Sequence, residues 1–408
     1  MVIHWKTDTL GNIPIKFIDG DRSSKYPKRE EFVSEGIPFL NGESINENYV
    51  NLSKVNFITE EKFLSITKGR LQKGDLILTT RGNGVGQAAL FNKTSQDALI
   101  NAQLLILRPD KSHIDPAFLY YSFITPFFKS NLKNFVSGSA QPQLPIKSLR
   151  NIKFSYPPLI TQCKISEILS KYDNLIDNNN RRIALLEESI HLLYKDWFVR
   201  LRFPGYESVK VVDGIPDGWE ISSIGNLSDL ITRGITPKYD LESPKIVINQ
   251  KCIRNYHINF DFARQHLSDV PEQKKIKFGD VLINSTGMGT LGRVAQVLTN
   301  FENVTVDTHI TIVRPKIELE KHFFGVSLEY LQNYLDTLGE GATGQTELKR
   351  QILSAVPILV PNKNIRHQFD QKVLSSRILV QKLLDQNQKL KEARDLLLPR
   401  LMSGKITV

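Results

Sequence analysis

The sequence predicts an α+β protein with two β-rich regions, each followed by one long helix. Two observations carry this prediction. The second half of the chain repeats the first, and in each copy a strand-like region is followed by a glycine-free stretch with helical spacing. A chain of 408 residues also exceeds one ordinary hydrophobic core, so several domains are expected.

The internal repeat is visible in short matches that keep one order and one spacing. Gly74-Asp75-Leu76-Ile77 recurs as Gly279-Asp280-Val281-Leu282, 205 residues later. Leu185-Leu186-Glu187-Glu188 recurs at the same spacing as Leu390-Lys391-Glu392-Ala393. Matches in one order with so little drift indicate a tandem duplication.

Each copy divides into two unlike parts. Residues 1–155 and 215–360 carry short β-branched and aromatic runs broken by Gly, Pro and Asn, which are typical of strands and turns. Residues 156–203 and 361–408 contain the two predicted long helices. The Pro/Gly-containing stretch 204–214 is interpreted as the linker between the copies.

Apolar residues in the two helical stretches recur every three or four positions, with one stutter near Asn179. The predicted seam positions are Ile168, Leu175, Ile183, Leu186, Ile190, Leu193 and Trp197 in the first helix, and Val380, Leu383, Asn387, Leu390, Leu397 and Leu401 in the second. A helix of this kind, roughly 60 Å long at about 1.5 Å per residue, is longer than its own domain needs. We therefore expect the helices to pair with each other, the alternative being that each packs on its own domain.

The composition favours a protein that binds a polyanion. The formal net charge is +10, and Lys and Arg release counterions when they contact phosphate. Two cysteines, Cys163 and Cys252, exclude a disulfide framework or a four-thiolate metal site. The sequence contains no basic-then-apolar leader and no apolar run of membrane-spanning length, so a soluble cytoplasmic protein is expected.

The run Gly287-Met288-Gly289-Thr290-Leu291-Gly292 has the G-x-G-x-x-G pattern of dinucleotide sites, and Asp307 stands where a ribose-binding acid would lie. About 11 residues then separate the last glycine from the next strand, which is too short for a parallel crossover. The other copy has Gly82-Asn83-Gly84-Val85-Gly86 at this place. A hairpin with a glycine-rich tip explains both copies.

Two shorter motifs suggest catalysis only superficially. Tyr156-Pro157-Pro158-Leu159 lacks the polar and aromatic residues that a base-flipping amino-methyltransferase needs, and its prolines are better suited to starting a helix. Glu347-Leu348-Lys349 matches a nuclease tripeptide, but its counterpart in the first copy is Gln143-Leu144-Pro145. No metal site, catalytic residue or cofactor is expected in this chain.

Across nearly its whole length the sequence resembles the specificity subunits of type I restriction–modification systems. The resemblance rests on motifs at the helix ends and domain starts: Tyr156-Pro157-Pro158-Leu159-Ile160-Thr161-Gln162, Tyr194-Lys195-Asp196-Trp197-Phe198, Ile215-Pro216-Asp217-Gly218-Trp219 and Leu397-Leu398-Pro399-Arg400-Leu401-Met402-Ser403-Gly404-Lys405-Ile406. The second helix entry, Val360-Pro361-Asn362-Lys363, departs from the pattern because it has one proline, which leaves that boundary open.

The resemblance implies two target-recognition domains, each reading one half of a split DNA site, with the two helices as an antiparallel coiled-coil spacer. It also implies partners: double-stranded DNA, two modification (methyltransferase) subunits that methylate adenine N6, and restriction subunits. S-adenosylmethionine, ATP and magnesium are then expected on those partner subunits. The chain itself would be a non-catalytic recognition subunit.

Base edges and phosphates in DNA are contacted by cationic and amide side chains on loops. The candidate DNA-binding residues in the first domain are Lys25, Lys28, Arg29, Asn41, Arg81 and Asn83. Those in the second domain are Arg233, Thr236, Lys238, Tyr239, Asn249, Lys251, Arg254, Met288 and Arg293. Two other functions stay open on residues alone: a duplicated DNA-binding regulator that acts by itself, and a nucleotide-dependent enzyme that uses the Gly287 to Gly292 loop.

Overall fold

The computed structural model describes residues 4–46, 48–92, 97–138, 141–341 and 346–408. They divide into two compact units, with unit 1 formed by the described part of residues 1–178 and 387–408, and unit 2 by that of residues 179–386. Each unit contains one β-rich region and a half of each long helix. The narrower bounds expected for separate β-rich, helical and linker regions stay predictions.

Unit 1 begins with eleven short strands and four short helices. The strands are β1 (Lys6–Thr9), β2 (Ile15–Asp19), β3 (Ile37–Leu40), β4 (Ile45–Asn46), β5 (Tyr49–Val50), β6 (Asn56–Ile58), β7 (Asp75–Thr79), β8 (Ala88–Phe91), β9 (Leu99–Ile100), β10 (Leu104–Pro109) and β11 (Lys153–Tyr156). The helices are α1 (Glu60–Ser65), α2 (Pro116–Ile124), α3 (Pro126–Lys133) and α4 (Ile146–Arg150), followed by the first long helix, α5 (Leu159–Tyr194). The prolines at 157 and 158 thus lie between the last strand and α5, as the sequence predicted.

The centre of unit 1 is an antiparallel sheet with strand order β2-β10-β7-β8. One face of this sheet packs on α2 through apolar residues such as Leu76, Leu107 and Phe118. Smaller sheets surround it, in the orders β6-β3-β9, β1-β11 and β4-β5. Because β7 and β10 are buried on both faces, they contain continuous apolar runs rather than alternating ones.

Unit 2 repeats this series, and its first strand lies within the stretch 204–214 that the sequence suggested as a linker. Its strands are β12 (Val211–Val212), β13 (Ile215–Pro216), β14 (Glu220–Ser223), β15 (Ser228–Arg233), β16 (Ile246–Ile248), β17 (Ile253–Arg254), β18 (His257–Ile258), β19 (Arg264–Gln265), β20 (Val281–Asn284), β21 (Val294–Gln296), β22 (Val304–Val306), β23 (Ile310–Pro315) and β24 (Pro357–Val360). Its helices are α6 (Lys321–Tyr330), α7 (Gln332–Thr337), α8 (Arg350–Ala355) and the second long helix, α9 (Lys363–Met402).

Each sheet of unit 1 has a counterpart in unit 2. The orders β15-β23-β20-β21, β19-β16-β22, β14-β24 and β17-β18 correspond to the four sheets of unit 1. The predicted duplication is therefore present in the fold. Between β22 and β23 the chain turns at Asp307, whose carboxylate accepts the His309 N–H at 2.9 Å.

The two long helices run antiparallel. In unit 2, the Asn179 amide donates to Gln386 Oε1 at 3.2 Å, and Ile183 packs with Val380 and Leu383. Later positions of α5 therefore meet earlier positions of α9. These contacts confirm the predicted antiparallel coiled coil. The alternative reading also holds in part, because each unit packs a half of both helices against its own β-rich core.

Most predicted seam residues are buried or half-buried: Ile168, Ile183, Leu186, Ile190, Leu193, Trp197, Val380, Leu383, Asn387, Leu390, Leu397 and Leu401. Leu175 was wrong, because its side chain is 47% exposed, whereas Ile176 is only 7% exposed. Steps of seven residues from Leu169 through Ile176 to Ile183 keep one helix face inward, and Leu175 lies about 100° away from it. None of the described helices is long and apolar enough to cross a membrane.

Candidate nucleic-acid interface

In unit 1 the candidate residues gather at one end of the central sheet. The pairs Asp19 with Leu105 and Thr79 with Leu104 place the end of β2, the end of β7 and the start of β10 at the same edge. The loop of Lys25 to Arg29 follows β2, and the hairpin tip 80–87 follows β7. The Gln103 side chain accepts the Gly42 N–H at 3.0 Å, which brings the Asn41 turn to the same edge.

The exposure of the unit 1 candidates separates contact residues from supporting ones. Lys25, Lys28, Arg29 and Asn83 are exposed, and Arg81 is half-buried. Asn41 has a structural task, since its side-chain oxygen accepts the N–H groups of Glu43 and Ser44 at 2.8 and 3.2 Å. An asparagine in this position caps a short helical turn.

The corresponding end of the unit 2 sheet gathers its candidates in the same way. Register pairs place the ends of β15 and β20 beside the start of β23. The loop of Thr236 to Tyr239 follows β15, and the loop of Met288 and Arg293 follows β20. The Asn284 amide donates to the Gln250 carbonyl at 2.9 Å, so the turn that carries Asn249 and Lys251 joins this edge.

Several unit 2 candidates present free surface at this edge. Thr236, Lys238 and Lys251 are exposed, and Met288 is 84% exposed. The Tyr239 ring is 51% exposed and lies under the Arg264 guanidinium, 4.8 Å from its centroid. An exposed ring beside a guanidinium offers both an apolar face and a positive charge to a ligand.

Arg254 and Arg293 lie close to each other in this cluster. The Arg254 guanidinium stacks on the Phe262 ring at 4.6 Å, and Arg293 Nη2 donates to the Gly289 carbonyl at 2.8 Å. Partial burial, together with the neighbouring Arg254 charge, lowers the pKa of Arg293. Two like charges that are near enough to influence each other attract an anion.

Two unit 2 candidates are engaged inside the domain. The Arg233 guanidinium donates to Glu347 Oε1 at 2.7 Å and to the carbonyls of Thr308 and Leu348 at 2.9 and 3.1 Å. Asn249 caps the turn before β17 and donates to the Phe262 carbonyl at 2.6 Å. Asn249 therefore has the same capping task as Asn41 in unit 1, which sequence alone did not distinguish from base contact.

The glycine-rich tips are hairpins in both units. β20 pairs with β21 antiparallel, and β7 pairs with β8 antiparallel. Gly82 and Gly287 have φ values of 88° and 108°, which a side chain would strain. Because a dinucleotide site of the predicted alternative requires a parallel crossover, the nucleotide-dependent enzyme is not favoured.

A groove of about 740 Å³ in unit 2 is lined by the candidate Arg233 and by Glu347, Lys349 and Arg350, together with uncharged side chains. Lys349 and Arg350 were not among the candidate residues. Glu347 is bound to Arg233 and Lys349 to Glu340, each at 2.7 Å, so the apparent nuclease tripeptide is divided between two ion pairs. The repeat gave no signal for Lys349 and Arg350, because the first copy has Pro145 and Ile146 at the matching positions.

One pair of residues supports the hairpin base in each unit. Arg108 donates two hydrogen bonds of 2.7 Å to the Asp75 carboxylate, and Arg314 donates two of the same length to Asp280. Both carboxylates are 1% exposed. Asp75 and Asp280 lie inside a repeat match, but their ion pairing with Arg108 and Arg314 depends on the antiparallel register of the strands.

Unit 2 also contains a buried ionic network around Arg377. Its guanidinium contacts Glu187 at 3.0 Å and Glu329 at 2.6 Å, and His191 Nε2 lies 3.1 Å from Glu329. Burial raises the pKa of Glu187 to about 6, even though Arg377 opposes this shift. At Glu329, Arg377 and His191 outweigh burial and lower the pKa.

Glu187, His191 and Glu329 place their ligand atoms within 4.8 Å of one another, as a metal site would. Arg377 already bonds both carboxylates from a position that is 1% exposed. A second cation would meet this guanidinium at close range, so the residues do not fit a metal ion. The cluster is a salt-bridge network.

Two regions of the chain, residues 4–188 and 216–391, match the family model described as "Type I restriction modification DNA specificity domain". The chain belongs to this family. The resemblance predicted from the sequence is therefore confirmed, and the two matched regions coincide with the duplication seen in the fold.

Full-length relatives agree with this assignment. The specificity subunit of the type I restriction enzyme MjaIX from Methanocaldococcus jannaschii is 26% identical over 95% of this chain and 90% of its own length. That of HindI from Haemophilus influenzae is 24% identical over 98% of this chain and 99% of its own. A crystal structure of the type I S subunit from M. genitalium has the same fold, with a TM-score of 0.57 at 16% identity, and covers 98% of this chain and 96% of that one.

Proposed function

We propose that this chain recognises a DNA sequence in two separate parts and brings modification and restriction subunits to it. The observation that carries the proposal is the duplicated recognition edge: in both units, loops with cationic and amide side chains leave the same end of the same four-stranded sheet. Two similar domains in one chain can address two half-sites, and because their loops differ, the half-sites can differ too.

The charges fit this partner. A net charge of +10 supplies the attraction to phosphate that most DNA-binding proteins use for affinity. Exposed Lys25, Lys28 and Arg29 in unit 1, and Lys238 and Lys251 in unit 2, suit phosphate contacts. The side chains of Arg81, Arg254 and Arg293 are half-buried and therefore less mobile, which suits contacts with guanine edges.

The chemistry is assigned to the partner subunits. We infer that two modification subunits methylate adenine N6 with S-adenosylmethionine, and that restriction subunits use ATP and magnesium. This chain would provide recognition without catalysis. The regulator that acts alone is not favoured, since full-length relatives are specificity subunits of restriction enzymes.

The proposal is tested by expressing the chain with its modification subunits and mapping methylated adenines by single-molecule sequencing. One two-part motif, absent when this chain is omitted, is the expected result. Methylation that persists without the chain would contradict the recognition role. Isothermal titration of the chain alone with S-adenosylmethionine tests the division of labour, and micromolar binding would contradict it.

A further inference from the structure

The two long helices carry opposite charges at the positions where they meet. In unit 1, Arg394 Nη1 on α9 lies 2.6 Å from Asp173 Oδ1 on α5, and the Tyr121 hydroxyl donates to the other carboxylate oxygen at 2.6 Å. The Asp173 and Arg394 side chains are only 27% and 19% exposed. In this contact the acid is on α5 and the base on α9.

The contact in unit 2 has the same polarity. There Glu187 on α5 is bound by Arg377 on α9, with side chains that are 7% and 1% exposed. The α5 helix therefore contributes a carboxylate to both contacts, the half-buried one in unit 1 and the buried one in unit 2, and α9 contributes a guanidinium to both.

This polarity is a difference between two copies of one helix. In the structure the helices repeat at 204 residues, one fewer than the 205 of the sequence match between Leu185 and Leu390. The buried positions that show this spacing are Ile165 and Phe369, Leu169 and Val373, Ile176 and Val380, Tyr194 and Leu398, Trp197 and Leu401. With this spacing Arg377 occupies the position of Asp173, Lys391 that of Glu187, and Arg394 that of Ile190. The apolar positions suit either helix, whereas the charged positions do not.

We propose that these charges make α5 and α9 obligatory partners and oppose pairing of either helix with a second copy of itself. Two α5 helices paired in the same manner would place Asp173 against Glu187. Two α9 helices would place Arg377 against Lys391 and Arg394. A buried charge that faces its own sign loses both its counterion and its solvent, which disfavours such assemblies by roughly a hundredfold or more.

The charge difference between α5 and α9 selects which halves of the duplicated chain pair with each other. Without a difference between the helices, two chains can join through like halves and present two identical recognition regions. With the charges as they stand, each N-terminal half accepts a C-terminal half only. The arrangement keeps two different recognition domains together, as a buried polar residue fixes partner choice in coiled coils.

The test uses the assembled protein, cleaved after purification at a protease site introduced into the exposed turn of Asp213 and Gly214. Unlabelled and ¹⁵N-labelled preparations are mixed, unfolded in urea, refolded and weighed by native mass spectrometry. N denotes the N-terminal half of the cleaved chain and C the C-terminal half. N·C pairs that contain one labelled and one unlabelled half show that the halves have exchanged partners during refolding. In the unaltered protein we expect N·C pairs to exceed N·N and C·C pairs by roughly a hundredfold or more.

The decisive variant is Asp173→Arg with Arg394→Asp, which restores the unit 1 ion pair in reverse. In an N·N pair the substituted position 173 would face Glu187, and in a C·C pair the substituted position 394 would face Arg377, so each kind of like pair gains a matched contact. We expect such pairs to rise to an abundance comparable with N·C. The exposed α5 pair Glu167 and Lys171, swapped in the same way, is the matched control and should leave N·C pairs dominant.

Two results would overturn the proposal: like pairs as abundant as N·C in the unaltered protein, or a folded, redistributing swap variant that still forms N·C alone. If the swap variant does not refold, the uncleaved double variant Glu187→Arg with Arg394→Glu decides. It sets like charges at both contacts within the chain, and sedimentation should show dimers between chains. A monomer with unchanged unfolding would refute the charge rule.

Discussion

Replacing Arg377 with methionine should remove more stability than any comparable change on the helix pair. Methionine keeps the apolar stem but leaves the Glu187 and Glu329 carboxylates without their shared cation, at 7% and 0% exposure. Removing one partner from a buried ion pair costs about 3–5 kcal/mol. We expect the free energy of unfolding of unit 2 to fall by about this amount at pH 8.

The loss should depend on pH. Burial already raises the pKa of Glu187 to about 6, and without Arg377 that pKa rises further. Below pH 6 the carboxyl therefore takes up a proton more readily in the folded variant than in the unfolded chain, which removes the uncompensated charge. The destabilisation should be smaller at pH 5 than at pH 8.

Urea unfolding followed by tryptophan fluorescence measures this effect, because Trp197 and Trp219 both lie in the core of unit 2. Arg394→Met is the matched control. Its carboxylate partner Asp173 is 27% exposed and retains the Tyr121 hydroxyl, so the expected loss is only about 1 kcal/mol. Equal losses in the two variants, or a loss at Arg377 that is the same at pH 5 and pH 8, would refute the reasoning.

Three further predictions concern His257, the hairpin-tip arginines and the length of the helix pair. Burial lowers the pKa of His257 to about 4, so neutral His257 stabilises the fold above pH 6.5. The free energy of unfolding should fall by about 2 kcal/mol between pH 7 and pH 5. His257→Gln should reduce this loss in urea titrations at the two pH values. Arg81→Ala and Arg293→Ala should each weaken DNA binding by about 1–3 kcal/mol and reduce the sequence specificity at one base of the corresponding half-site. Equal weakening on every DNA sequence would indicate phosphate contacts instead. Four residues inserted after Asn178 in α5, with four more after Gln386 in α9, add about 6 Å to each helix. The methylated half-sites should then lie about two base pairs further apart. An active variant that keeps its original spacing would show that the helices do not set this distance.

The parts of this fold that could be predicted are those that leave a regular spacing or a repeat in the sequence. Helical spacing gave both long helices, and the repeated glycine-rich tips gave antiparallel hairpins in both units. Leu175 was misplaced because it stands next to Ile176, and a count of apolar residues does not decide which neighbour faces inward. The β-branched stretch from Val304 to Val313 contains a turn that depends on one side-chain bond to Asp307, which residue composition does not indicate.

The candidate interface was harder to predict because cationic and amide side chains serve both ligand and fold. Arg233 and Arg293 were both candidates, but one is bound to Glu347, whereas the charge of the other is influenced by Arg254. The network around Arg377 joins positions more than 180 residues apart, from α5, α6 and α9. Nothing local in the sequence marks such a meeting, since it is created by the packing of three helices.

Replacing residues 1–155 with the matching region of a relative that has a different target tests the central claim most directly. The hybrid is expressed with the modification subunits, and its methylated adenines are mapped by single-molecule sequencing. Because each unit builds its recognition edge from its own sheet, one half of the methylated motif should change while the other half keeps its bases. A motif in which both halves change together, or neither does, would contradict independent reading by the two units.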